Sequence, residues 1–150
     1  MFKDPVGHKI KTLSNLMKRN AERHFGKKPD EATLMHSWIL GFLQHQEVEG
    51  KDTFQKDIEE EFSINRSTTS EMLKLMCKKG MIQRVAVTHD ARLKKIVLTD
   101  QSREFNRMMD QKFKIRYEEL VKGLTQEEID EFAKIADKLI DNLRNVLDQA

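Results

Sequence analysis

The chain has 150 residues, 38% hydrophobic and 35% charged, with 27 Lys plus Arg against 25 Asp plus Glu. This is the length of one domain, and 6 glycines and 2 prolines exclude collagen-like, linker-like and turn-rich all-β chains. One cysteine excludes an internal disulfide and fits a reducing compartment. No apolar run approaches the roughly 18–20 residues of a membrane span, and the first thirteen residues lack the apolar core of a secretion signal. A soluble, cytoplasmic protein with no membrane attachment is the expectation. The apolar content is lean for a compact sphere, which suits an elongated or oligomeric helical chain.

Apolar residues Ile10, Leu13, Leu16, Met17, Ala21 and Phe25 recur at three- and four-residue steps and predict a first helix over 8–25, stopped by Gly26 to Pro29. Asp30 is a cap for a second helix through Leu34, Trp38 and Phe42 to about Gln46, and Thr53 one for a short third helix through Ile58 to Phe62. After a brief turn at 63–65 a fourth helix is expected from Arg66 to Lys79. Thr69, Met72, Leu73 and Met76 face inward, and Gly80 ends the helix in a left-handed conformation. The period then shortens to that of strands at 82–87 and 95–98, with 88–94 as the tip of a hairpin. A long helix from Thr99 or Asp100 runs to Leu120, and Gly123 breaks it. Thr125 and Glu128 form a capping box for a last helix, whose wide apolar face includes Phe132, Leu139, Leu143 and Leu147. That face is too long for a 150-residue monomer to cover, so a second copy of the chain is expected on it.

Charge is unevenly distributed. Residues 65–95 carry eight basic groups against Glu71 and Asp90, net +6, whereas 31–64 sum to −6 and 124–150 to −4. Residues 1–30 are net +5. A basic island between acidic blocks is what a localised polyanion-binding surface looks like, although a solvated face reads the same way.

Two short helices joined by a tight turn and followed by a hairpin with a basic tip make a winged helix-turn-helix. The second helix of such a unit presents small polar and basic groups to base edges and phosphates. Arg66, Ser67, Thr68, Ser70 and Lys74 fit, and Arg92, with Lys94 and Lys95 behind it, is the long cation that a minor groove attracts. The stretches INRSTTSEMLKLMCKKGMIQR (64–84) and HDARLKKIVLT (89–99) resemble the recognition helix and the Asp-x-Arg wing of the MarR (multiple antibiotic resistance regulator) family. The similarity extends over nearly the whole order of elements. It implies a mainly α fold with a small β-hairpin: a winged helix-turn-helix over about 30–99, and dimerisation helices at about 1–29 and 100–150. It also implies that Asp90 orients the wing by pairing with a basic side chain while Arg92 contacts DNA, and that a ligand or oxidant regulates the dimer. Two positions depart from the family pattern. Glu71 stands where a basic residue is frequent and would read a cytosine amino group or reject wrong sites, and Ala91 replaces a frequent arginine.

Other chemistries have weaker support. Cys77 lies close to the apolar stripe of the fourth helix and reads as a structural thiol rather than a redox sensor. No two histidines stand at the spacing that chelates a metal from one helix face, so no metal or cofactor is expected, and no nucleophile–base pairing suggests an enzyme. Met17, Trp38 and Phe42 suit either packing or a pocket for a small apolar or aromatic effector. The reading is a homodimeric regulator that binds double-stranded DNA, most simply a ligand-responsive repressor on a pseudo-palindromic operator. The alternative is a winged-helix dimer serving as a protein-interaction module.

Overall fold

The computed structural model describes residues 1–26 and 31–149; Pro29 and Asp30, the expected break and cap, lie outside the described residues. Its elements are α1 (Pro5–Phe25), α2 (Glu31–Val48), α3 (Gln55–Phe62), α4 (Arg66–Lys78), β1 (Ile82–Val87), β2 (Asp90–Leu98), α5 (Asp100–Leu120) and α6 (Gln126–Asp148). They form two compact units, residues 1–113 and 114–150. The expected mainly α architecture with one antiparallel hairpin is the architecture observed.

In the first unit, α1 starts earlier than its apolar period indicates. Asp4 caps it, accepting from the Gly7 amide at 2.7 Å, and Pro5 occupies the first turn, where a missing N–H costs nothing. The core is built by α2 (Ile39, Leu40, Leu43), α3 (Ile58), α4 (Leu73, Met76) and the hairpin (Ile82, Ile96, Leu98), all almost wholly buried. The spacing 39, 40, 43 turns one face of a helix inward, and 96, 98 one face of a strand. Thr69, buried without exposure, joins this face and donates its hydroxyl to the Asn65 carbonyl. Cys77 packs partly buried against the core.

Thr53 is not the cap of α3. Phe54 holds that position, in an extended conformation, and the Asp57 carboxylate reaches back to accept from its amide at 2.8 Å. Thr53 is buried instead, and its carbonyl accepts from the Ile96 amide at 2.7 Å, which pins the base of the wing to the α2–α3 connection. Gly80, at φ +73°, makes the turn into β1 that a side chain would strain. The Thr99 hydroxyl donates to the Gly80 carbonyl at 2.7 Å and the Ser102 hydroxyl to the Met81 carbonyl at 2.5 Å, so the start of α5 is locked onto that turn.

Arg103 adds a fork across elements. Its Nε and Nη2 donate to the two carboxylate oxygens of Glu47, at 3.2 and 2.9 Å, and Nη1 donates to Asp100 at 2.9 Å. The guanidinium pKa is raised, chiefly by the Glu47 hydrogen bond. The two side chains remain 46% and 35% exposed, so water screens the pair. Arg103→Ala is expected to lower the free energy of unfolding by no more than about 1 kcal/mol, measured by denaturant titration; a larger loss would mean that the fork carries packing as well as charge.

The hairpin differs from its expected form. Its turn is only Thr88-His89, because β2 begins at Asp90 and not at Lys95. Pairing runs in step from Ile82–Leu98 to Ala86–Lys94 and then jumps to Val87–Asp90, so Ala91, Arg92 and Leu93 form a bulge on β2. Composition places polar residues here correctly but does not distinguish a long loop from a tight turn followed by a bulge.

The second unit comprises the last turns of α5, a turn containing Gly123 at φ +83°, and α6. The capping box forms as the sequence predicts: Thr125 Oγ1 accepts from the Glu128 amide at 3.1 Å, and Glu128 Oε1 from the Thr125 amide at 3.0 Å. No residue of α6 is buried.

Candidate nucleic-acid interface

Asn65 starts the candidate reading helix. Its side-chain oxygen accepts from the Thr68 amide at 2.8 Å, which satisfies one of the first-turn donors that a helix leaves open. With Thr69, Leu73 and Met76 held in the core, the helical period dictates what faces outward. Ser67, Glu71, Lys74 and Lys78, at steps of four, three and four, form one exposed stripe, with Arg66 and Thr68 exposed at its edges. Three of these six carry positive charge and one negative, and hydroxyls occupy the N-terminal end.

Ser70 is placed differently from the other candidates. It is half-buried, and its hydroxyl accepts from Gln55 Nε2 at 2.7 Å. Sequence reasoning missed Gln55 because nothing about a glutamine at the start of α3 announces a partner fifteen residues away.

On the wing, Asp90, Arg92 and Lys94 are all exposed. The Asp90 carboxylate accepts from the backbone amide of Arg92 at 2.9 Å, where the family resemblance implies a basic side chain as its partner. A short acidic side chain two residues before an open amide closes a local turn, and that turn shapes the bulge from which Arg92 projects. Lys95 is half-buried and leans toward Asp52, with Nζ 3.6 Å from Oδ1, so it belongs to the wing base rather than its tip.

The proposed effector residues are not equivalent. Phe42 packs against the core and meets Phe62 edge-on at 5.8 Å. Met17 is half-buried, while Trp38 is 59% exposed, a large apolar surface for a described residue to leave in water. A cavity of about 270 Å³ beside β2 is lined by Leu43, Glu47, Lys51, Asp52, Thr53 and Lys95 among others, and by none of these three. Among the described residues no three His, Cys, Asp or Glu side chains cluster as metal ligands, and no helix is long and apolar enough to cross a membrane.

Residues 33–93, which span α2 to the wing, match the model of the MarR family. No curated protein matches the chain in sequence. Among solved structures, the transcription regulator MarR from Oenococcus oeni is 25% identical, with 91% of this chain and 98% of that one covered and a TM-score of 0.69. Bordetella bronchiseptica BpsR, whose DNA binding is regulated by 6-hydroxynicotinic acid, is 16% identical over 94% of this chain and 96% of its own, with a TM-score of 0.75. A mutant MarR of E. coli complexed with operator DNA is 17% identical over 90% and 93%, with a TM-score of 0.67. At such identities the last two likenesses speak for the fold. The winged-helix segment at residues 33–93 thus matches the MarR family, and the fold over nearly the whole chain is that of MarR-type transcription regulators.

Proposed function

We propose that the chain acts in the cytoplasm as a homodimeric, sequence-specific regulator of transcription. Each subunit lays α4 in a major groove of double-stranded DNA and the wing in the adjacent minor groove. The observation that carries this reading is the coincidence of exposure and charge. The stripe of α4 and the bulge bearing Arg92 are both exposed, and both lie within the net +6 segment of a chain whose remaining residues sum to −4. Arg66, Ser67, Thr68, Glu71, Lys74, Arg92 and Lys94 are the contacting residues, and Asp90 and Ser70 support them.

The organisation follows from the exposed apolar faces. In α1, Val6, Ile10, Leu13 and Leu16 are exposed, and in α6 Phe132, Ile135, Ile140, Leu143, Val146 and Leu147. Monomers rarely leave such surface open, and a second copy of the chain is the economical cover. A twofold dimer reads a pseudo-palindromic operator with half-sites about one helical turn apart, roughly 10–10.5 base pairs. Repression by occlusion of the promoter is its simplest action. A flat apolar or aromatic effector, for which exposed Trp38 is a stacking surface, would relieve repression by favouring a dimer geometry that no longer matches this spacing.

The first experiment selects fragmented genomic DNA on the purified protein and then titrates the selected site at several salt concentrations. With four to five phosphates neutralised per subunit, the log–log slope of affinity against salt is expected to be about −7 to −9 for the dimer. A slope near zero, or no fragment retained, would put a protein-interaction module in place of the DNA reader.

A further inference from the structure

Taking the DNA-binding reading as its premise, we infer that Gln55 is a positioning residue for recognition, acting through Ser70 to fix the rotational setting of α4. Position 55 opens α3 directly after a cap residue, Phe54, that has no side-chain acceptor, and Asp57 occupies the Phe54 amide. The Gln55 amide group is therefore not drawn into capping its own helix. It reaches α4 instead, donating to Ser70 Oγ at 2.7 Å from a half-buried position.

Ser70 is well placed for this to matter. On α4 it lies one helical step from Ser67 and from Lys74 and next in sequence to Glu71, at the border between the exposed stripe and the buried face. The apolar contacts beneath, through Ile58 and Leu73, set how closely the two helices approach. Such contacts are non-directional, so they restrain rotation of α4 about its own axis only weakly. A hydrogen bond is directional. A rotation of about 10° moves a side-chain tip standing roughly 6 Å from the helix axis by about 1 Å, enough to lose a base-edge hydrogen bond that tolerates only a few tenths of an ångström.

Gln55→Met keeps length and removes the donor, and Ser70→Ala removes the acceptor. Each is expected to weaken binding to the selected operator about five- to tenfold, the range of one hydrogen bond, and to leave binding to random-sequence DNA within about twofold, because the phosphate-neutralising charges are untouched. A scan of base substitutions through the half-site should flatten at the same base pairs in both variants. The double variant should be no weaker than either single one, and Ser70→Thr, which retains the hydroxyl, should keep the wild-type preference. Should Gln55→Met fail to fold, Gln55→Ala, which removes the donor without adding bulk, takes its place and should lose discrimination to the same extent. Additive losses, equal losses on random DNA, or a Ser70→Thr variant that behaves like Ser70→Ala would overturn the inference. A wild-type chain that selects no DNA site would instead remove the DNA-binding reading itself.

Discussion

Arg92→Ala is expected to weaken operator binding by about 1–3 kcal/mol, between roughly 5- and 150-fold, with helix content and oligomeric state unchanged. The expectation rests on how the wing presents this side chain. With the turn reduced to Thr88-His89 and the bulge spanning Ala91 to Leu93, Arg92 stands off the regular ladder, and the Asp90 carboxylate holds its amide at 2.9 Å. The Arg92 side chain is exposed, so its removal is expected to leave the fold intact. A narrow minor groove concentrates negative potential, and a single long cation delivered into it gains from it. The salt slope should also become shallower by about 0.9 per subunit, close to 2 for the dimer. Anisotropy titrations at three or four salt concentrations separate the two effects. Undiminished affinity with an unchanged slope would show that the wing does not meet DNA. Asp90→Ala should cost less, because it loosens the bulge and removes a negative charge from the tip at the same time.

What the sequence made legible, and what it hid, divides along the range of the interactions. Local chemistry was readable. The Thr125–Glu128 capping box, the glycine turn at Gly80 and the inward stripe of Thr69, Leu73 and Met76 each follow from residues within one or two turns of one another, and the structure has all three. The places that escaped depend on partners distant in sequence or on register. Thr53 carries the preferred side chain for a cap, yet its backbone is engaged by Ile96, forty-three residues on, so the helix starts after Phe54. The strand pattern at 95–98 was visible because Ile96 and Leu98 alternate into the core. The exposed residues 90–94 extend the same strand with no apolar period to reveal it, and the bulge falls there. Ser70 reads as one more small polar group on an outward face until Gln55 is seen against it. For the candidate site, residue types and approximate location were therefore available from sequence, whereas the orientation of the wing arginine and the link between α3 and α4 were not.

Leu143→Asp is expected to shift the chain from dimer to monomer, weakening self-association by about 3 kcal/mol or more, over a hundredfold, since both copies lose a buried leucine at roughly 1.5–3 kcal/mol each and gain a carboxylate that must be desolvated. Leu143 and Leu147, 66% and 69% exposed, lie one turn apart and share their helix with Phe132, Ile135, Ile140 and Val146, all of them open to water. Leu143 is two-thirds exposed in its own chain, so the substitution is expected to add little strain to the protomer, and helix content should be retained. Sedimentation equilibrium across micromolar concentrations reads the change directly. Because two linked half-site contacts bind more tightly than one, loss of the dimer should also halve the salt slope of operator binding and abolish discrimination of half-site spacing. A mass that stays at two copies would mean that the α6 face is not the interface, and the exposed apolar positions of α1, Val6, Ile10, Leu13 and Leu16, would then be the surface to test. A monomeric variant that retains full operator affinity would separate dimerisation from recognition and remove the pseudo-palindrome from the proposed mode of binding.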